Sequence, residues 1–176
     1  MVNPSVSDCF ERLGLARRFG LERDAIEKAY LERAQVVHPD RFATATGGEQ
    51  RAAMEASAAL NEAYRIVRDP VRRAEYLCKL AGIDVDSNDP RQGAPAMSQV
   101  FLVEMIERRE QLEDARAQGA SALEALRQGV EDEVDDALDK AVRALDADDP
   151  QDAARSLVER RYLQRLLDEI DGPREP

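Results

Sequence analysis

The chain has 176 residues, 43% of them hydrophobic and 35% charged, enough apolar material to bury the core of one ordinary domain or of two small ones. Aromatic residues make up only 5% and tryptophan is absent, while Ala, Leu, Glu, Asp and Arg dominate; this excludes a β-rich fold and points to an all-α protein. A formal net charge of -11 argues against nucleic acid, whose phosphates reward Lys and Arg, and no 18-residue apolar run is present to cross a membrane.

Ser7 or Asp8 is placed to cap a short first helix carrying Phe10, Leu13 and Leu15, with Gly14 near its end. A second helix over about residues 22–37 aligns Ile26, Tyr30, Ala34 and Val37 on one face. It must stop at His38, because the residue before a proline is pushed out of the α region and Pro39 lacks a donor. A third helix over about 49–68 aligns Ala53, Ala56, Leu60, Ala63, Tyr64 and Val67, and is expected to run antiparallel to the second. Asp69-Pro70 then reads as cap and first position of a fourth helix, VRRAEYLCKLA, closed by Gly82.

The stretch IDVDSNDPRQGAP reads as a linker by composition. Asp84, Asp86 and Asn88 match three positions of a calcium loop, but Asp89 stands where glycine is needed and Pro95 where the bidentate glutamate belongs, so no metal is expected. Beyond it, Ser98 caps a helix that Gly119 breaks, and Ser121 with Glu124 has the form of a capping box for a long sixth helix. Asp149-Pro150 opens the last, with Leu163, Leu166, Leu167 and Ile170 along one side. Three amphipathic helices with short loops imply an antiparallel bundle. The expected division is residues 1–82, a linker at 83–97, the bundle at 98–171 and a disordered tail at 172–176.

Charge divides unevenly between these parts. Residues 1–82 carry 13 basic and 12 acidic residues, whereas residues 83–176 carry 12 and 24, a difference that points to two partners of different character. Cys9 and Cys78 are far apart and form no metal-ligand spacing; both are expected to be small buried hydrophobes. The N-terminal MVNPSVSDCFERL has neither a basic, apolar leader nor an amphipathic one, so a cytoplasmic setting is expected.

The single histidine lies in VVHPDRF, just beyond the end of the second helix, where open carbonyls already give negative potential and Asp40 adds a full charge. Such a corner suits the grip of a partner's arginine. His38 has no nucleophile or orienting acid fixed around it by the pattern, and no Gly-rich phosphate loop or GxSxG is present, so an enzyme is not expected. On the fifth helix, Phe101, Met105 and Leu112 make a core stripe, while Leu102, Val103 and Ile106 lie roughly 100° to 200° away, among Glu107, Glu110, Glu113 and Asp114. These are read either as packing against the other domain or a neighbouring helix, or as an exposed apolar strip ringed by carboxylates, the mark of a protein-binding face.

FERLGL, the HPDRF loop and LNEAYRIVRDPVRRAEYL together resemble a J-domain, the module that stimulates ATP hydrolysis by seventy-kilodalton heat-shock chaperones. With the acidic helical tail beginning FLVEMIERREQLED, about residues 6–171 resemble the HscB family, J-type co-chaperones of iron-sulfur cluster assembly. The resemblance implies an all-α protein, a J-domain helical hairpin with flanking helices joined to an antiparallel three-helix bundle; Tyr76, Leu77 and Leu80 leave the fourth helix apolar on more than one side and are expected to dock the two parts into a fixed L. It implies an HscA/DnaK-type chaperone held through His38, Pro39, Asp40 and Arg41, with Lys28 and Gln35 on the preceding helix. It implies an IscU-type scaffold held through Leu102, Val103, Ile106, Glu107, Glu110, Asp114 and Tyr162. No cofactor, nucleic acid or membrane enters this picture, and a monomer is expected; the alternative is a J-protein with a different client. Arg33 departs from the pattern by standing where an apolar residue is usual, and Glu32 thins the basic face.

Overall fold

A computed structural model describes residues 7–42, 44–87, 89 and 91–172. Its helices are α1 (Cys9–Leu13), α2 (Arg23–Val37), α3 (Gly47–Arg68), α4 (Pro70–Leu80), α5 (Gln99–Gln118), α6 (Ala120–Asp146) and α7 (Pro150–Asp171), with a 3-10 turn at Pro39–Phe42 and no strand among the described residues. The chain divides into two units, residues 1–80 and 81–176.

In the first unit the carboxylate of Asp8 accepts the N–H groups of Phe10 and Glu11 and so caps α1. Gly14 ends it at φ 67°, a left-handed conformation that glycine adopts without strain; a Cβ there would also fall 2.0 Å from the Arg33 guanidinium. Arg33 is thus exposed and lies over the end of α1, outside the core. Helices α2 and α3 run antiparallel. Tyr30 stacks on Tyr64 at 4.2 Å, and its hydroxyl donates to Asn61 Oδ1 at 2.9 Å. Phe10, Leu13, Ile26, Leu60, Ala63 and Val67 form the core. Tyr76, Leu77 and Leu80, whose apolar surface the sequence leaves for the other domain, pack on this unit's own core, because short α1 presents Phe10 to α4 with ring centroids 6.0 Å apart.

Arg73 is the buried hub of this unit. Its guanidinium and Nε donate to the carbonyls of Val67 (2.7 Å), Phe19 (2.6 Å), Leu21 (3.4 Å) and Arg68 (3.4 Å), tying the loop before α2 to the α3–α4 turn. Its guanidinium carbon also sits 5.1 Å from the Phe19 ring centroid. Arg73→Met keeps the stem but leaves carbonyls without donors, and should lower unfolding stability by about 2–4 kcal/mol, measurable by urea denaturation.

One cap was not read from the sequence, and one expected cap is absent. Thr46 and Glu49 form a capping box at the start of α3, and the hydrogen bonds from Thr46 hold the Glu49 carboxyl below its ordinary range. At α6 the expected Ser121–Glu124 box is absent. Gly119 alone separates α5 from α6, so Ser121 already lies in the helical first turn, and Glu124 pairs with Arg127 instead.

The second unit is built around Met105, Leu112, Val130, Val134, Ala137, Leu163, Leu166, Leu167 and Ile170. Ser98 and Asp149 cap α5 and α7 as their sequences dictate. The stretch read as a linker closes on itself, with the Asp84 N–H donating to the Gln92 carbonyl at 2.6 Å and Gly93 to Asp89 at 2.7 Å. Ile83 is buried, and Arg161 of α7 binds the Val85 carbonyl at 3.2 Å and the Asp86 carboxylate at 2.7 Å. Asn88 of the calcium-like string, and all of the expected tail except Gly172, lie outside the described residues. Among the described residues no helix is long and apolar enough to cross a membrane.

Candidate protein-docking sites

Helix α2 ends at Val37, and His38 has the extended backbone, φ -60° and ψ 128°, that its following proline demands. The chain then turns through Pro39–Phe42, with the Arg41 N–H donating to the His38 carbonyl at 3.1 Å. His38 Nδ1 accepts the Asp40 N–H at 3.3 Å, which requires the ring proton on Nε2 in this geometry. Arg41 reaches back to donate to the Gln35 carbonyl at 3.1 Å, one of those the end of α2 leaves open. His38 and Arg41 therefore brace the turn from inside. Asp40 is the group presented: its side chain is 90% exposed, and its carboxylate lies 3.6 Å from His38 Nδ1. Two oxygens so placed match a guanidinium fork.

Lys28 and Gln35 stand on the outward face of α2, both exposed. Lys28 Nζ is 4.0 Å from Glu32, so the positive charge of this face is partly balanced by its own helix. Leu31 lies exposed between them, an apolar residue on this face that sequence reasoning did not single out. Its signal was its position three residues after Lys28 and four before Gln35.

In the second unit, Phe101, Met105 and Leu112 of α5 face the core, as the spacing predicts. Leu102, Val103 and Ile106 are 42%, 53% and 59% exposed, and Glu107, Glu110 and Asp114 stand exposed on the same helix. Val100 is a further exposed apolar residue of this helix, one turn earlier than the expected strip. It is visible in the sequence three residues before Val103. Tyr162 is half-buried: it meets Phe101 edge-on at 5.8 Å, and the Arg165 guanidinium lies 5.9 Å from its ring centroid.

Both cysteines are free thiols. Burial pushes Cys78 up to about 11, and burial also raises Cys9, whose backbone N–H donates to the Tyr76 hydroxyl at 3.2 Å. With a thiolate fraction of about one in a thousand at pH 8, Cys78 should react with a disulfide reagent only at the rate of unfolding, whereas denatured protein should titrate two thiols at once. Among the described residues no group of His, Cys, Asp and Glu could hold a metal ion.

A helical hairpin that ends in a braced His-Pro-Asp turn defines a J-domain protein. A family model described as the DnaJ domain matches residues 8–76, and one described as the HSCB C-terminal oligomerisation domain matches residues 97–171. The chain is 36% identical to the co-chaperone protein HscB homolog of Burkholderia multivorans over 162 residues, 92% of this chain and 90% of that one. It is 46% identical to the homolog of Bordetella avium over 112 residues, 64% of each. Among solved structures, chaperone HscB from Vibrio cholerae superposes with a TM-score of 0.74 at 29% identity, covering 93% of this chain and 95% of that one. Human co-chaperone protein HscB gives 0.77 at 26% identity, covering 96% and 82%. The chain belongs to the HscB family of co-chaperones.

Proposed function

We propose that this protein stimulates the ATPase of an HscA/DnaK-type heat-shock chaperone and brings to it an IscU-type scaffold for iron-sulfur cluster maturation and transfer. It makes and breaks no bonds itself. It acts in the cytoplasm as a monomer that links two other proteins. The observation that carries the reading is the exposed Asp40 carboxylate on a turn held by its own neighbours. His38, Pro39, Asp40 and Arg41, with Lys28 and Gln35, form the chaperone-facing surface. An apolar strip with acidic flanks on a different unit, Leu102, Val103 and Ile106 with Glu107, Glu110 and Asp114, supports a second, separate partner, with Tyr162 contributing its exposed part.

The test is the steady-state ATPase rate of the chaperone with this protein, measured with and without the scaffold. The reading expects stimulation by this protein alone and more with the scaffold present. No stimulation by the intact chain would overturn it. Sedimentation of the protein alone tests the monomer.

A further inference from the structure

At the far end of the α2–α3 hairpin from His38, the α3–α4 turn and the start of α2 enclose an open basin of about 630 Å³. Four exposed arginines line it, Arg23 from α2, Arg65 and Arg68 from α3, and Arg72 from α4. Among the described lining residues the only carboxylate is Asp69, whose Oδ1 is engaged by the Arg72 N–H at 2.9 Å. Arg65 is paired with Glu62 at 2.7 Å. Arg68 lies over the Tyr64 ring at 5.6 Å from its centroid. Among the described residues, Arg23, Arg68 and Arg72 have no carboxylate within ion-pair distance. Residues 1–82 carry 13 basic and 12 acidic residues, so four exposed arginines around one lining carboxylate are a local excess of positive charge, which fold stability does not require, since like charges held together repel.

We infer that this basin is a docking site for a short acidic segment of a partner protein, separate from the HPD corner. Guanidinium groups bind carboxylates through paired N–H donors, and Tyr64 offers an apolar floor beside them. Size and local charge decide between kinds of anion. A nucleic acid strand or an anionic bilayer extends beyond the basin onto a surface whose charges nearly cancel, 13 basic against 12 acidic over residues 1–82, whereas a segment of a few Asp or Glu residues engages the arginines alone. The basin also stands apart from Asp40. Arg23 begins α2 and His38 follows its end, about 22 Å along a 15-residue helix, so the two surfaces have room for different contacts.

The experiment uses the full chain and a fluorescein-labelled hexaglutamate peptide, with fluorescence anisotropy at low and at physiological ionic strength. The double variant Arg68→Glu with Arg72→Glu should weaken binding about tenfold or more, and the milder Arg23→Gln should weaken it measurably. A charge-matched control, Arg18→Glu with Arg51→Glu, should leave it nearly unchanged, and circular dichroism should show all variants folded. Equal losses in control and basin variants would mean that net charge alone is sensed, and would overturn the inference. So would tighter binding of a single-stranded oligonucleotide than of the peptide through the same arginines. Sedimentation showing a dimer that the basin variant dissociates would assign the site to a second copy of this chain and overturn it too.

Discussion

His38→Gln and Asp40→Asn are each expected to abolish stimulation of the chaperone ATPase while leaving scaffold affinity unchanged. The Asp40 substitution removes one charge and almost no volume, and it preserves the backbone N–H that His38 Nδ1 accepts. A carboxylate buried on docking against a guanidinium is worth roughly 2–5 kcal/mol when its partner is left unpaired, so the loss should be roughly 30-fold to several thousandfold in affinity. His38→Gln acts differently, by taking away the ring that braces the turn. Both side chains are exposed, 58% for His38 and 90% for Asp40, so neither change should shift the thermal midpoint appreciably. Unchanged stimulation by the folded variants, read in a single-turnover hydrolysis assay, would remove the role given to the corner.

Leu102→Ala combined with Ile106→Ala should produce the opposite separation. Scaffold binding should fall while stimulation by the protein alone persists. Each truncation removes apolar area worth about 1–3 kcal/mol if fully covered by the partner, so the pair should weaken binding by at least about tenfold. The bundle should tolerate both, because its core is made by Met105, Leu112 and their neighbours on the other side of α5. Titration calorimetry of scaffold into the double variant checks this, and undiminished affinity would show that the strip serves some other purpose.

The features legible in the sequence were those decided by near neighbours. Asp8, Ser98 and Asp149-Pro150 cap helices because the groups they satisfy lie two or three residues away. Pro39 stops α2 by steric exclusion, and the two apolar sides of α5 follow from 100° spacing. Ser121 misled because its spacing to Glu124 was right while the single-residue joint at Gly119 left no place for a side-chain cap. The turns within the stretch before α5 were hidden in a composition that reads as linker, since Arg161 holds the Val85 carbonyl from 76 positions further along the chain. No local pattern sets Arg73 apart from the other basic residues of α4. Only the fold brings the Phe19, Leu21, Val67 and Arg68 carbonyls around it. The arginine basin is likewise assembled from three helices, and no local pattern announces it.

The internal bracing of the HPD turn bears on how long a complex lasts. Arg41 is already held by the Gln35 carbonyl and His38 by the Asp40 amide, so the turn keeps little backbone freedom to lose if it docks as proposed. A slack loop would surrender about 1–2 kcal/mol of backbone freedom for every residue it froze, and would need extra contacts to compensate. On the proposed reading, a turn that gives up little freedom needs few contacts to fix its orientation, and a complex held by few contacts separates quickly, so that one molecule could visit the chaperone many times.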